Sequence, residues 1–226
     1  IYVITTDPLA PTLWSFRYAD MSVVDQTRTS AVPSDFGGVA YDGQFVWLGE
    51  RSTSRLYKLN PITLATVDTY TFDWAGSNPS PIYADQLSDA SPCIWAIVNN
   101  DIVKWSLTTN AEVERVTTGC SDLADIVLAP TLVFALDSGS QPRVEVYDRA
   151  TLTLQAVHAV GACAPVYPGH YGRVLGDQVF IGDFERVINV LNANSGALIG
   201  RASMNVVPRD IAGVYKGALV VSGSPT

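Results

Sequence analysis

Five residues recur once per repeat of about 43 residues, and their types could do chemistry: Asp35, Asp85, Asp125, His170 and Asp210. Each stands before or within a short run of small and apolar residues. If they converged, four carboxylates and an imidazole would make an oxygen-rich site for Ca²⁺ or Mg²⁺, and the imidazole would extend the choice to a transition metal. A plainer role fits the same placement. An Asp ahead of a strand accepts backbone N–H bonds from its own turn. Recurrence in every repeat is what a structural role predicts, and that role is the commoner one.

A second polar set follows a strand in each repeat: Asp7, Glu50, Asn99, Asn100, Asp137 and Asp183, with Arg51, Arg143 and Arg186 close by in the chain. As a functional set they form a rim that hydrogen-bonds a sugar or a peptide, with Glu50 and Asp183 as ligand contacts. Ordinary turn chemistry with surface ion pairs, each worth about 0–1 kcal/mol, is the more frequent outcome. The two longest loops, 72–83 and 161–172, carry Trp74, Tyr83, Tyr167 and Tyr171 among Gly and Pro. Exposed aromatics on rigid loops are good binding anchors; the competing role is covering sheet edges. Trp14, Trp47, Trp95 and Trp105 sit inside strand patterns and read as packing residues.

Catalytic signals are sparse. His158 reads as a surface residue of an outer strand, and His170 has no Ser or Cys nucleophile motif beside it. No catalytic residue is assigned, and the balance leans away from an enzyme. Of the three cysteines, Cys120 and Cys163 lie 43 residues apart, each after a small residue at the end of an outer strand. They are a candidate disulfide across neighbouring repeats, with two buried or free thiols as the commoner alternative.

The elements that must position these residues are strands. A hairpin recurs at Leu13–Val24, Arg55–Val67, Ile102–Val113, Arg143–Leu154 and Val187–Leu198, with period-two alternation on both sides of a polar turn. Ala19, Asn60, Ser106, Asp148 and Asn192 match at the turn, separated by 41, 46, 42 and 44 residues. A second unit precedes each hairpin. Its clearest copies start at Pro33 and Pro208, and share Pro-x-Asp, an apolar residue, a small residue and Gly-Val, then a turn glycine and an apolar strand. Nowhere does helical spacing persist over ten residues.

This layout resembles the β-propellers of the YVTN-repeat and lactonase-like kind, on Pro208–Gly217 followed by Ala218-Leu-Val-Val-Ser, and on Val144-Glu-Val-Tyr-Asp-Arg-Ala-Thr-Leu. The resemblance implies radial four-stranded antiparallel blades, five favoured and six the alternative, in a single domain over 1–226. It also implies that the loops entering the inner strand and those joining second to third strands share the ligand face. The first set would then surround the channel mouth. Inner strands are expected near Phe36, Leu87, Ile126, Tyr171 and Ile211, with the strand at Ile211 completing the first blade.

Bulk properties narrow the partners. A net charge of −8 and a pI near 4.6 disfavour nucleic acid and anionic membrane surfaces, and no apolar run reaches the length of a membrane span. Lysine is scarce, with only Lys58, Lys104 and Lys216. The start at Ile1, without an initiator Met or a signal-peptide pattern, suggests a processed chain or a fragment of a larger assembly. The expectation is a non-catalytic module, outside the cell or on a virion surface, that recognises a protein or glycan and needs no cofactor. The alternative is a metal-dependent, lactonase-like hydrolase holding Ca²⁺ or Mg²⁺.

Overall fold

A computed structural model describes residues 2–5, 12–17, 22–28, 36–50, 55–71, 79–85, 93–139, 142–160, 172–182, 186–205, 207–215 and 218–224. Among these, every regular element is a strand. The chain falls into two compact units, Ile1–Arg115 and Val116–Thr226.

The first unit opens with a three-stranded sheet of β1 (Tyr2–Thr5), β2 (Thr12–Phe16) and β3 (Val23–Arg28). A four-stranded sheet follows: β4 (Phe36–Tyr41), β5 (Val46–Glu50), β6 (Arg55–Leu59) and β7 (Thr66–Thr71). The next contains β8 (Pro79–Asp85), β9 (Cys93–Val98), β10 (Asp101–Ser106) and β11 (Ala111–Thr117), whose last residues cross the unit boundary. In the second unit come β12 (Leu123–Leu128), β13 (Leu132–Asp137), β14 (Arg143–Asp148) and β15 (Leu154–Ala159). Then come β16 (Gly172–Leu175), β17 (Gln178–Gly182), β18 (Val187–Asn192) and β19 (Leu198–Ser203), and finally the pair β20 (Val207–Tyr215) and β21 (Ala218–Ser224). Within each sheet the chain runs as an antiparallel meander, so sequence order is spatial order.

Burial explains the patterning. The second strands β5, β9 and β13 are buried at every position, and for β5 neighbouring sheets cover both faces. Trp47 on β5 packs with Ile94, Ala96 and Val103 of the following sheet. Its neighbours Val46 and Leu48 turn the other way and pack with Leu13 of the preceding one. In the second unit Phe134, Leu136, Val144 and Val146 meet Val179, Ile181 and Leu191. Each such side chain contributes about 1.5–3 kcal/mol by leaving water. The fourth strands β7, β11, β15 and β19 are mostly exposed, and alternation there is polar.

Four of the five turn positions matched in the sequence share one geometry, and Ala19 lies outside the described residues. The side-chain oxygens of Asn60, Ser106, Asp148 and Asn192 each accept the backbone N–H groups two and three residues on, at 2.8–3.2 Å. Four residues after each lies a left-handed residue: Leu64 (φ 52°), Asn110 (51°), Leu152 (48°) and Gly196 (71°). Leu64 and Leu152 tolerate that backbone because their side chains are buried, at 1% and 4% exposure.

Three expectations need correction. The inner strand sought near Leu87 is β8, Pro79–Asp85; as the edge strand of its sheet it can start with Pro. The strand at Ile211, expected to complete the first blade, is paired with β21 in a two-stranded sheet. His158 is partly buried, its Nε2 lying 2.8 Å from the carbonyl of Gly196 in the next sheet.

Candidate functional site

Strand register divides each complete sheet into two ends. In β4–β7 the pairs Phe36↔Glu50 and Glu50↔Arg55 lie at one end, Tyr41↔Val46 and Leu59↔Thr66 at the other. The first end carries the entry to the sheet and the connection from second to third strand; here it is the loop end. Of the second polar set, Glu50, Asn99, Asn100, Asp137, Arg143 and Arg186 fall there, while Asp7 and Arg51 lie outside the described residues.

Asp137 closes β13 at the loop end and is fully buried. Its carboxylate accepts the backbone N–H groups of Ser121 (3.0 Å), Asp122 (3.0 Å) and Gly139 (2.9 Å). Three charge-assisted bonds on one carboxylate fix two loops at once, the one entering β12 and the one leaving β13. Glu145, on β14 and 2% exposed, accepts the Gly119 N–H at 2.9 Å and the Tyr147 hydroxyl at 2.5 Å. Burial, and then the bond to Glu145, raise the Tyr147 phenol well above its usual range.

Arg143 stands beside both acids, with Nε 2.8 Å from Glu145 Oε1 and 3.9 Å from Asp137 Oδ2. The Nε contact is an ion pair without hydrogen-bond alignment, and its side chain keeps 26% of its surface exposed. Two glycines make room for the cluster. A Cβ at Gly119 would lie 2.5 Å from Arg143 Nη2, and one at Gly139 would lie 1.8 Å from Ser121 Oγ. Cys120, in the same loop, is a buried free thiol pushed up to about 11, chiefly by burial. It is therefore not half of a disulfide; Cys163 lies outside the described residues.

A related arrangement occupies the loop end of β4–β7. Glu50 is fully buried and accepts the Tyr57 hydroxyl at 2.9 Å, opposite Arg55. Burial raises the Tyr57 phenol, Arg55 pulls it back, and Glu50 pushes it up again. Glu50 is thus a buried acceptor beneath the rim.

The first polar set is spread over different positions. Asp125 is buried on β12, two residues inside the loop end, and accepts the N–H of Ile126 at 2.8 Å. The backbone of Asp85 pairs with Cys93, at the end of β8–β11 opposite the entry. That of Asp210 pairs with Ser222 inside β20. Tyr83 belongs to β8, paired with Trp95, and not to the loop before it. Asp35, Trp74, Tyr167, His170, Tyr171 and Asp183 lie outside the described residues. Among the described residues no group of three His, Cys, Asp or Glu side chains is placed to hold a metal ion.

Glu145 is what the sequence reading missed. Within Val144-Glu145-Val146 it looks like the outward residue of an alternating strand. The signal that could have found it is Asp137 and Glu145 bracketing Arg143.

No protein-family model matches the chain, and no curated protein matches it. Solved structures do. The chain is similar to BamB from Moraxella catarrhalis at 17% identity and a TM-score of 0.63, over 98% of this chain and 66% of that one. The Dos1 propeller gives 12% and 0.65, over 90% and 55%, and apo AztD from Citrobacter koseri 13% and 0.59, over 92% and 61%. All three are β-propeller proteins. The fold is of the β-propeller type. At these identities the likeness concerns the fold, and the chain spans about 55–66% of those chains' length. In propeller terms the four complete sheets are blades, β4, β8, β12 and β16 their first strands, and the Asp137–Arg143–Glu145 cluster sits at the loop end of one blade.

Proposed function

We propose that this chain is a non-catalytic binding module that engages a protein or glycan partner, outside the cell, through the loop end of its blades. The observation that carries this reading is the carboxylate clamp: Asp137 and Glu145 together hold four backbone N–H groups, of Gly119, Ser121, Asp122 and Gly139. Loops fixed in advance on a rigid sheet lose little entropy when a partner docks, which is where recognition is cheapest to build. Trp74, Tyr167 and Tyr171 are the proposed aromatic contacts, with Glu50 and Asp183 behind them. The acidic, lysine-poor composition agrees with an extracellular setting.

The test uses arrays of immobilised glycans and secreted proteins. Trp74→Ala and Tyr167→Ala should reduce retention, whereas Ile62→Ser, at a 68% exposed residue of the β6–β7 turn at the other end, should not. Equal loss in all three variants, or retention by none of the arrays, would remove the reading. Elemental analysis separates it from a divalent-ion hydrolase built on Asp35, Asp85, Asp125, His170 and Asp210. A stoichiometric ion that resists chelation would favour the hydrolase.

A further inference from the structure

The Arg143 guanidinium has unspent donor capacity. Among the described residues its polar contacts are the two ion-pair contacts of Nε, with no hydrogen bond from either terminal nitrogen. The side chain is nevertheless held. Glu145 and Asp137 fix its base, and the absence of a Cβ at Gly119 lets Nη2 lie against that backbone. A guanidinium pre-positioned in this way loses less freedom per hydrogen bond than a mobile one. Arginines of this kind are frequent interface anchors.

Charge decides what such an anchor receives. Two buried carboxylates stand behind one guanidinium, so the spot is net negative by one charge, on a chain whose net charge is −8. An incoming anion would meet that field at short range, whereas a neutral oxygen acceptor would not. Sugar hydroxyls are neutral acceptors too, but sugar sites favour an exposed aromatic platform. The aromatics of this cluster, Tyr147 here and Tyr57 in the related one, are buried.

We infer that Arg143 donates its terminal N–H groups to main-chain carbonyl oxygens of a partner polypeptide segment that is uncharged or basic. This rests on the binding-module reading and names the chemistry of its partner at this blade.

The experiment is an array of synthetic peptides graded from acidic through neutral to basic, probed with the full chain, Arg143→Lys and Arg143→Gln. Lys keeps the charge that balances the buried acids but lacks the planar fork, so it separates recognition from folding; thermal melts check both variants. Neutral and basic peptides should be retained, at least about tenfold less well by Arg143→Lys, as loss of a charge-assisted bond implies. Preferential retention of acidic peptides would overturn the inference, and so would unchanged retention by both variants while the module reading stands. Binding to glycans but to no peptide would also overturn it alone, and silence on both kinds of array would take the module reading with it.

Discussion

The Gly119 amide donates to Glu145 Oε2 across 2.9 Å, joining the loop after β11 to the middle of β14, 26 residues further along the chain. Because that carboxylate also takes the Tyr147 hydroxyl and faces Arg143, one side chain couples a loop, a strand and a half-buried cation. Glu145→Gln keeps the shape but removes the charge. It should cost about 1–3 kcal/mol in urea unfolding and speed hydrogen exchange at Gly119. Unchanged exchange there would mean that the loop is held by other bonds.

Asp137 carries more of the loop and should matter more. Asp137→Ala leaves the amides of Ser121, Asp122 and Gly139 without their acceptor and Arg143 with one acid fewer. A loss of roughly 3–5 kcal/mol is expected, the range for breaking a buried charged network. Asp137→Asn, which retains one acceptor oxygen, should fall between wild type and Ala.

At the turns, strain and burial oppose each other. Leu152→Gly relieves a left-handed backbone worth about 1–2 kcal/mol but removes a buried side chain worth about 2–5 kcal/mol. Burial should win, leaving a net loss of about 1–3 kcal/mol. Asn110 is exposed at the same position, so Asn110→Gly should be neutral or slightly stabilising. Melting temperatures of the two variants should move in opposite directions or, at least, very unequally.

Asp148 gives a pH dependence with a definite sign. The Thr151 amide and hydroxyl, ahead of a small opposing effect of desolvation, hold its pKa below the ordinary carboxylate value. A depressed folded-state pKa contributes stability above the unfolded value, lost as pH falls through the folded one. Asp148→Asn should therefore melt slightly below wild type at neutral pH, the loss kept small because Asn60 and Asn192 serve in sister turns. It should lose less of its stability in acid. Parallel melting curves at every pH would contradict this.

Cys120 should be inert in the folded protein. Its thiol is buried and raised to about 11, so little thiolate exists at mildly alkaline pH. A disulfide-exchange reagent should label Cys120 only on unfolding, read by mass spectrometry of its peptide.

Much of the fold was legible because hairpins write themselves locally. Asn60, Ser106, Asp148 and Asn192 are turn formers between alternating strands, and the turn geometry is what those residue types produce. The inner strand at Pro79–Asp85 was harder. Its prolines resemble a loop, and only its edge position, a tertiary fact, makes them acceptable. Of the candidate site, Asp137 and Arg143 were visible as a polar pair, but not their partners. A buried acid such as Glu145 is specified by loop residues that meet it across the sheet, and no local pattern reports such a meeting. Asp85 was misread for the opposite reason: it copies the spacing of Asp125 without its place in the register.

The recurring turn also makes three of the hairpin tips portable cassettes. The bond from the first residue's amide to the carbonyl five residues on closes Asn60–Ala65, Asp148–Thr153 and Asn192–Ala197 at 2.8–2.9 Å. Entry and exit are thus the same, and the six-residue tip can be exchanged between blades without disturbing the strands. What cannot be exchanged freely is the fifth residue. A leucine there anchors its tip to the interior, whereas at Gly196 a Cβ would meet Val146 Cγ1 at 2.7 Å. The tips therefore share a backbone but are individually keyed to the neighbour each one leans on.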